Sequence, residues 1–244
     1  MIWVAVASET DNLEEDYPSL LYKSVSHNEH ASFFISLHEG GTLSVPFAAK
    51  LTAVDYMSGD INELHTGTYV GGKDLPAGKY QVSYATDDRS FGIIWLADVE
   101  DNLEENYPSM LYENISKNEK GTYYISLAEG RTLYLPVSCE QVTVIDDIIF
   151  ESDQTELFAG QYVVGEDLPA GMYDITCRPT ESQDSGIIWA SAPSDDLKEQ
   201  YPSLLYEFVK EEEESFHVSL EEGGRVELPF PCTFVKSEGG VVFN

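Results

Sequence analysis

Three stretches of the chain carry one oxygen-rich block, D-N-L-E-E-x-Y-P-S-x-L-Y, at residues 11–22, 101–112 and, in softened form, 195–206. Its carboxylates, Asp11, Glu15, Asp101, Glu105, Asp195 and Glu199, are hard donors of the kind that bind calcium. The spacing lacks the alternating ligands and central glycine of an EF-hand, and Lys198 stands where the other copies have Glu14 and Glu104. The competing reading is structural. An Asp ahead of a short Leu-Glu-Glu run is a helix start, and Glu104 falls three residues after Asp101 as in a capping box. Pro108 then forbids a long helix, which leaves one helical turn. The block also repeats an aromatic, Tyr17, Tyr107 and Tyr201. Such rings stack on sugars or fill a partner's pocket when exposed, and otherwise seal the ends of a domain with their hydroxyls wet.

Other chemistry has less support. Val70-Gly71-Gly72-Lys73-Asp74 has no Ser/Thr after its lysine and no helix to follow, so it is not a phosphate loop. The five histidines, His27, His30, His38, His65 and His217, do not recur between copies of the block. No G-x-S-x-G is present, and Ser19, Ser109 and Ser203, each after a proline, are explained by a backbone hydrogen bond. A glycosidase needs two carboxyl groups about 5–10 Å apart. Raw material is abundant for that, but no pair is singled out.

The chain has 244 residues, 42% of them apolar, with 15 Tyr and 11 Phe to build cores. Its 44 acids against 13 bases give a net charge of −31. Phosphate binding needs Lys and Arg, so nucleic acid and anionic lipid are excluded as partners. No stretch reaches the ~18–20 apolar residues of a membrane span. Cys139, Cys177 and Cys232 form no C-x-x-C and no disulfide framework. Buried free thiols are expected, with a Cys177–Cys232 bridge as the alternative.

Internal repetition sets the organisation. Tyr69, Gly72, Asp74, Leu75, Pro76, Gly78 and Tyr80 return 93 positions later as Tyr162, Gly165, Asp167, Leu168, Pro169, Gly171 and Tyr173. Gly92-Ile93-Ile94-Trp95 returns as Gly186-Ile187-Ile188-Trp189, and Pro136 as Pro229. That period suits tandem β-sandwich domains of ~100 residues rather than a solenoid. The fold expected is all-β: small jelly-roll-like sandwiches with one-turn helices. Residues 1–57 hold only the second part of a unit, residues 66–150 a complete unit and residues 158–244 another. Tyr56–Thr66 and Asp146–Leu157 are read as linkers.

Thr68–Val70 and Lys79–Tyr84 read as a hairpin across Leu75-Pro76-Ala77-Gly78. Glu39-Gly40-Gly41, Glu129-Gly130-Arg131 and Glu222-Gly223-Gly224 read as further hairpin turns. Residues 133–144 read as one strand that Pro136 interrupts. Alternation places Phe33, Ile35 and Leu37, Tyr123, Ile125 and Leu127, and Phe216, Val218 and Leu220 on the core face. It leaves Phe34, Tyr124 and His217 on the opposite, outward face.

The stretches Tyr69–Tyr80 and Tyr162–Tyr173 resemble a "YxVGxDIPAGxY" repeat of uncharacterised Gram-positive bacterial proteins, often surface or lipid-anchored. The resemblance implies a small β domain, a location outside the cell, and no catalytic residue. A start at Met1 as the native terminus implies the cytoplasm instead. The function expected is a non-catalytic binding or scaffolding protein with a protein or glycan partner. The alternatives are a carbohydrate hydrolase with paired carboxylates and a calcium-stabilised linker; no cofactor other than Ca²⁺ is envisaged. Self-association through the N-terminal half-unit would cover its open strand edges.

Overall fold

The computed structural model describes residues 2–5, 21–23, 32–37, 42–46, 48–88, 90–103, 107–146, 148, 154–180, 185–197, 200–210 and 213–237. The fold is all-β, as the alternating patterns require, and no helix occurs among the described residues. The one-turn helix expected after Asp101 and Asp195 falls largely on residues 104–106 and 198–199, outside the described set; in the Asp195 copy the Gln200 N–H donates to the Asp196 carbonyl at 2.9 Å.

The strands β1 (Ile2–Ala5), β2 (Leu21–Lys23) and β3 (Thr42–Ser44) make a small sheet in the order β2-β1-β3. The next stretch supplies β4 (Gly67–Val70), β5 (Gly78–Ala85), β6 (Gly92–Ala97), β7 (Leu111–Ile115), β8 (Lys120–Leu127), β9 (Thr132–Leu135) and β10 (Cys139–Ile145). The last supplies β11 (Thr155–Leu157), β12 (Ala159–Val163), β13 (Gly171–Cys177), β14 (Ser185–Ser191), β15 (Leu205–Lys210), β16 (Glu214–Leu220), β17 (Arg225–Leu228) and β18 (Cys232–Lys236). The order β4-β9-β6-β7 is matched by β12-β17-β14-β15, and β10-β5-β8 by β18-β13-β16. Each stretch buries its own apolar cluster, one around Tyr69, Ile94 and Ile125, the other around Tyr173, Ile188 and Phe234.

Several local expectations change because strand pairing is a tertiary choice. β4 and β5 do not form a hairpin: β4 pairs with β9, and β5 with β8 and β10. The Leu-Pro-Ala-Gly turn carries the chain from one sheet to the other. So does Glu129-Gly130-Arg131, which joins β8 to β9, and Glu222-Gly223-Gly224, which joins β16 to β17. Glu39-Gly40-Gly41 lies outside the described residues. Pro136 divides the long strand into β9 and β10, in different sheets, because proline cannot donate to a ladder. Successive strands pair as hairpins in β1–β2, β6–β7 and β14–β15, and the acidic block links the strands of the last two. The second linker is partly strand, since β11 pairs with β18.

The Y-x-x-G-x-D-L-P-A-G-x-Y motif is structural throughout. Tyr69 and Tyr162 donate their hydroxyls to the carbonyls of His65 and Phe158, at 2.8 and 2.9 Å. Tyr80 and Tyr173 do the same to Pro76 and Pro169, at 2.5 and 2.8 Å. Gly72 and Gly165 take positive φ, and the Asp two residues on accepts from the Val70 or Val163 N–H, both at 2.8 Å. Buried phenols bonded to carbonyls satisfy the rule that enclosed polar groups find partners.

One sheet crosses from one stretch to the next. β8 pairs in parallel with β12, Ala159 opposite Tyr123 and Gly160 opposite Tyr124. An isolated parallel bridge, Phe33 opposite Thr66, repeats that join one period earlier. Phe34 and Tyr124 are therefore not outward. Tyr124 is 1% exposed and stacks on Tyr162 at 4.4 Å, and Phe34 stacks on Tyr69 at 4.3 Å. Strand alternation placed them off the core of their own unit; the following unit covers them. Only glycine fits opposite: a Cβ on Gly67 would lie 2.5 Å from the Phe34 carbonyl oxygen, and one on Gly160 2.5 Å from that of Tyr124.

Cys177 and Cys232 are opposed in register on β13 and β18 and are joined as a disulfide, against the expectation of free thiols. Cys139, the counterpart of Cys232, is free and buried because Tyr84 stands opposite it, and burial pushes its thiol up to about 12.

Candidate functional site

The acidic block bends back on itself through its Asp. Asp101 Oδ2 accepts from the Asp98 N–H at 2.9 Å and the Ser109 N–H at 2.8 Å. Asp195 Oδ2 accepts from Ala192 at 2.9 Å and Ser203 at 2.8 Å. The Ser203 bond, first of these, holds the Asp195 carboxyl below its usual range. Each aspartate thus clasps the two ends of a hairpin loop, and the serines serve as backbone donors. Asp101 and Asp195 line one small cavity of about 320 Å³ with Asp98, Glu100, Asp196 and Arg225. Among the described residues no group of three His, Cys, Asp or Glu is placed to hold a metal ion. Asp11, Glu15, Tyr17, Glu105 and Glu199 lie outside the described residues.

With its loop clasped, each hairpin presents two tyrosines. Tyr107 and Tyr201 are each 75% exposed, and each packs on its neighbour, Tyr107 on Tyr112 at 4.9 Å and Tyr201 on Tyr206 at 4.8 Å. The two pairs do not merely seal separate domain ends. They face a common cavity of about 610 Å³, within the size range of small-molecule sites.

The floor of that cavity is a row across four strands. Gln161 on β12 is in register with Glu227 on β17, Glu227 with Trp189 on β14, and Trp189 with Tyr206 on β15. Residues so opposed share a face. The corresponding row one period earlier is Thr68, Tyr134, Trp95 and Tyr112. Gln161 and Glu227 thus stand where the earlier row has Thr68 and Tyr134, and the first hairpin looks across at them through Tyr107 and Tyr112.

The floor is unusual in two ways. Gln161 is buried, its Nε2 donates to Glu227 at 3.2 Å, and its Oε1 has no partner. Turning the amide over would exchange one orphan atom for another. The Glu227 carboxyl meets that of Glu113 from β7, and the two share a hydrogen bond. Burial, then the neighbouring Glu113 charge, raises Glu227 well above the ordinary glutamate range. Burial raises Glu113 as well. Two carboxyls in such contact hold a proton between them. Trp189 and Gln161 donate to Glu227 in addition.

Sequence reasoning found Tyr107 and Tyr201 and missed Gln161, Glu227 and Glu113. For Gln161 and Glu227 the available signal was their divergence from Thr68 and Tyr134 in the other copy; Glu113, whose counterpart is Glu207, carried no such signal. No protein-family model matches the chain, and no curated protein or solved structure matches it at a significant level.

Proposed function

We propose that the chain is a non-catalytic binding protein of tandem β-sandwich units, and that the cavity between its two tyrosine pairs takes a glycan ring. The observation carrying this is the combination of four solvent-facing tyrosines and Trp189 around a floor whose buried Gln161 Oε1 lacks a partner. A pyranose offers an apolar C–H face to stack on aromatic rings and hydroxyls to donate to an orphan oxygen. The chain's −31 charge favours neutral or amino sugars over acidic ones. The Cys177–Cys232 disulfide and the repeat resemblance both support a location outside the cell.

The test is titration calorimetry with neutral and amino-sugar oligosaccharides against the intact chain and against Tyr107→Ala and Tyr201→Ala. Both rings are surface groups, so the variants keep the fold. Each loses at least ~10-fold in affinity, in line with about 1–3 kcal/mol for removal of an aromatic anchor. Undiminished binding in both variants, or no binding of any oligosaccharide by the intact chain, refutes the reading.

The Glu113–Glu227 pair favours a second reading, a carbohydrate hydrolase. Its carboxyls are in hydrogen-bond contact, closer than the ~5–5.5 Å of retaining or the ~6.5–9.5 Å of inverting enzymes, which supports binding over hydrolysis. Release of reducing sugar that Glu227→Gln abolishes would reverse that ranking.

A further inference from the structure

The join between units is built twice in this chain, and its edge strand occurs a third time with no strand beside it among the described residues. At the first join the Phe34 N–H donates to the Thr66 carbonyl at 2.8 Å. At the second, β8 lies parallel to β12, and Tyr124 is sealed beneath it. β16 is the third copy of that strand, with Phe216-His217-Val218-Ser219-Leu220 in place of Tyr123-Tyr124-Ile125-Ser126-Leu127. β16 ends its sheet: β13 occupies one side, and among the described residues no strand occupies the other. The burial differs accordingly. The His217 side chain is 54% exposed where Tyr124 is 1%, Ser219 is exposed where Ser126 is buried, and Phe216 is half-buried where Tyr123 is enclosed.

We infer that the outer edge of β16 is a docking site for a parallel strand, and that its occupant is the leading strand of this same repeat carried on a partner polypeptide. The two existing joins define the recognition chemistry. The incoming strand needs a small residue and then glycine, as in Thr66-Gly67 and Ala159-Gly160, because a Cβ at the glycine would collide with the carbonyl opposite. Two residues further on it needs a tyrosine to lie on the side chain at position 217, as Tyr69 lies on Phe34 and Tyr162 on Tyr124. After that comes an Asp that accepts from the edge strand, as Asp74 does from Ser36 and Asp167 from Tyr124, both at 2.7 Å. A second copy of this chain cannot supply the strand without dismantling itself. Its β4 and β12 are already seated on Phe33 and β8. Main-chain pairing gives such augmentation its affinity, and the alternate side chains give it specificity.

The test titrates the ¹⁵N-labelled full chain with a synthetic peptide of the sequence of residues 155–168, followed by amide shifts and hydrogen exchange. The expected result is saturable shifts centred on residues 215–219, with slowed exchange at the His217 amide. The peptide carrying Gly160→Leu gives no shifts. In the chain, His217→Pro removes the outward N–H at a position where an edge strand tolerates proline, and binding falls at least ~10-fold. His217→Tyr restores the stacking ring and hydroxyl of Tyr124 and tightens binding about 3-fold or more. The proposal is overturned by an absence of shifts in β16 at millimolar peptide, by equal binding of the leucine peptide, or by His217→Tyr binding no better. Concentration-dependent dimerisation that His217→Pro abolishes would place a second copy on this edge and overturn the assignment of a partner.

Discussion

The second join can be converted chemically into the first, and the energetic consequence follows from who donates to the buried aspartate. Asp167 is 5% exposed and accepts from the Tyr124 hydroxyl at 2.7 Å and the Val163 N–H at 2.8 Å, with Lys79 Nζ at 3.5 Å. At the first join Phe34 occupies the position of Tyr124, and Asp74 takes its hydroxyl from Ser36 instead, also at 2.7 Å. The counterpart of Ser36 at the second join is Ser126, which is present and buried. Tyr124→Phe keeps the stack on Tyr162 and removes one donor. Ser126 then turns to Asp167 as Ser36 does to Asp74, so the cost stays below about 1 kcal/mol. Ser126→Ala alone leaves the tyrosine bond intact and costs a similar amount. The double variant leaves Oδ1 with no hydroxyl at all. A hydrogen bond to a charged group is worth about 1.5–3 kcal/mol, so the double variant loses about 1–2 kcal/mol more than the singles together. That coupling exceeds the ~0.3–0.5 kcal/mol scatter of independent sites. Urea unfolding at neutral pH with a common slope measures it. A double variant whose loss equals the sum of the singles within 0.5 kcal/mol refutes the account of the join.

Three further outcomes are expected. The proton held by Glu113 and Glu227 makes the folded state bind more protons than the unfolded chain above the ordinary glutamate value of 4.5, so their contribution falls as pH rises from there. Glu227→Gln, which keeps an acceptor for Trp189 and Gln161, should match the parent near pH 4 and become the more stable protein towards pH 7. The difference grows by at most about 1.4 kcal/mol per pH unit in urea melts, and a constant difference across that range defeats it. Gly160→Ala places a Cβ 2.5 Å from the Tyr124 carbonyl oxygen at a φ of 139°, and calorimetry should show a loss of about 2–4 kcal/mol. Gly78→Ala, whose Cβ meets only the Tyr80 ring at 3.7 Å, stays within about 1 kcal/mol of the parent. Reducing the Cys177–Cys232 bond, which spans 55 residues, should cost about 4 kcal/mol on a loop-closure estimate, read as a lowered urea midpoint in dithiothreitol.

The parts legible in sequence were those governed by the chain's own periodicity. Alternation in residues 121–127 marked β8 and its core face, and the aspartate-proline-glycine spacing marked a turn. Pairing was not legible. Whether Val70 and Lys79 continue into one sheet or two depends on β9, sixty residues away, which claims β4 by its own register. Tyr124 looked outward because one period of sequence describes one unit, and its cover belongs to the next. The disulfide could be named only as an alternative for the same reason, since Cys177 and Cys232 meet only through the β13–β18 register. Tyr107 and Tyr201 were identifiable as candidates, yet the groups beneath them were not. Gln161 and Glu227 stand at positions where the preceding unit has Thr68 and Tyr134, and agreement between copies, not difference, guided the reading.

The cavity and the joins are one construction. A single hairpin clasped by its aspartate shows one tyrosine pair with nothing facing it. The opposing pair arrives because β12 is locked beside β8, with the glycine contact and the Asp167 bonds fixing how the units meet. Arg225 reinforces the approach by donating to the Ser109 carbonyl at 3.4 Å, across the boundary and close to the clasp of the first hairpin. The separation of the aromatic walls is thereby set by buried groups that never touch the cavity. Substitutions at Tyr124, Asp167 or Gly160 should therefore alter how the slot fits a ring as well as how firmly the chain folds. Substitutions at Tyr107 or Tyr201 should alter the fit alone. Acids serve both constructions: Asp74, Asp101, Asp167 and Asp195 accept from backbone N–H groups, and Glu227 lines the cavity against Glu113, with burial raising both carboxyls.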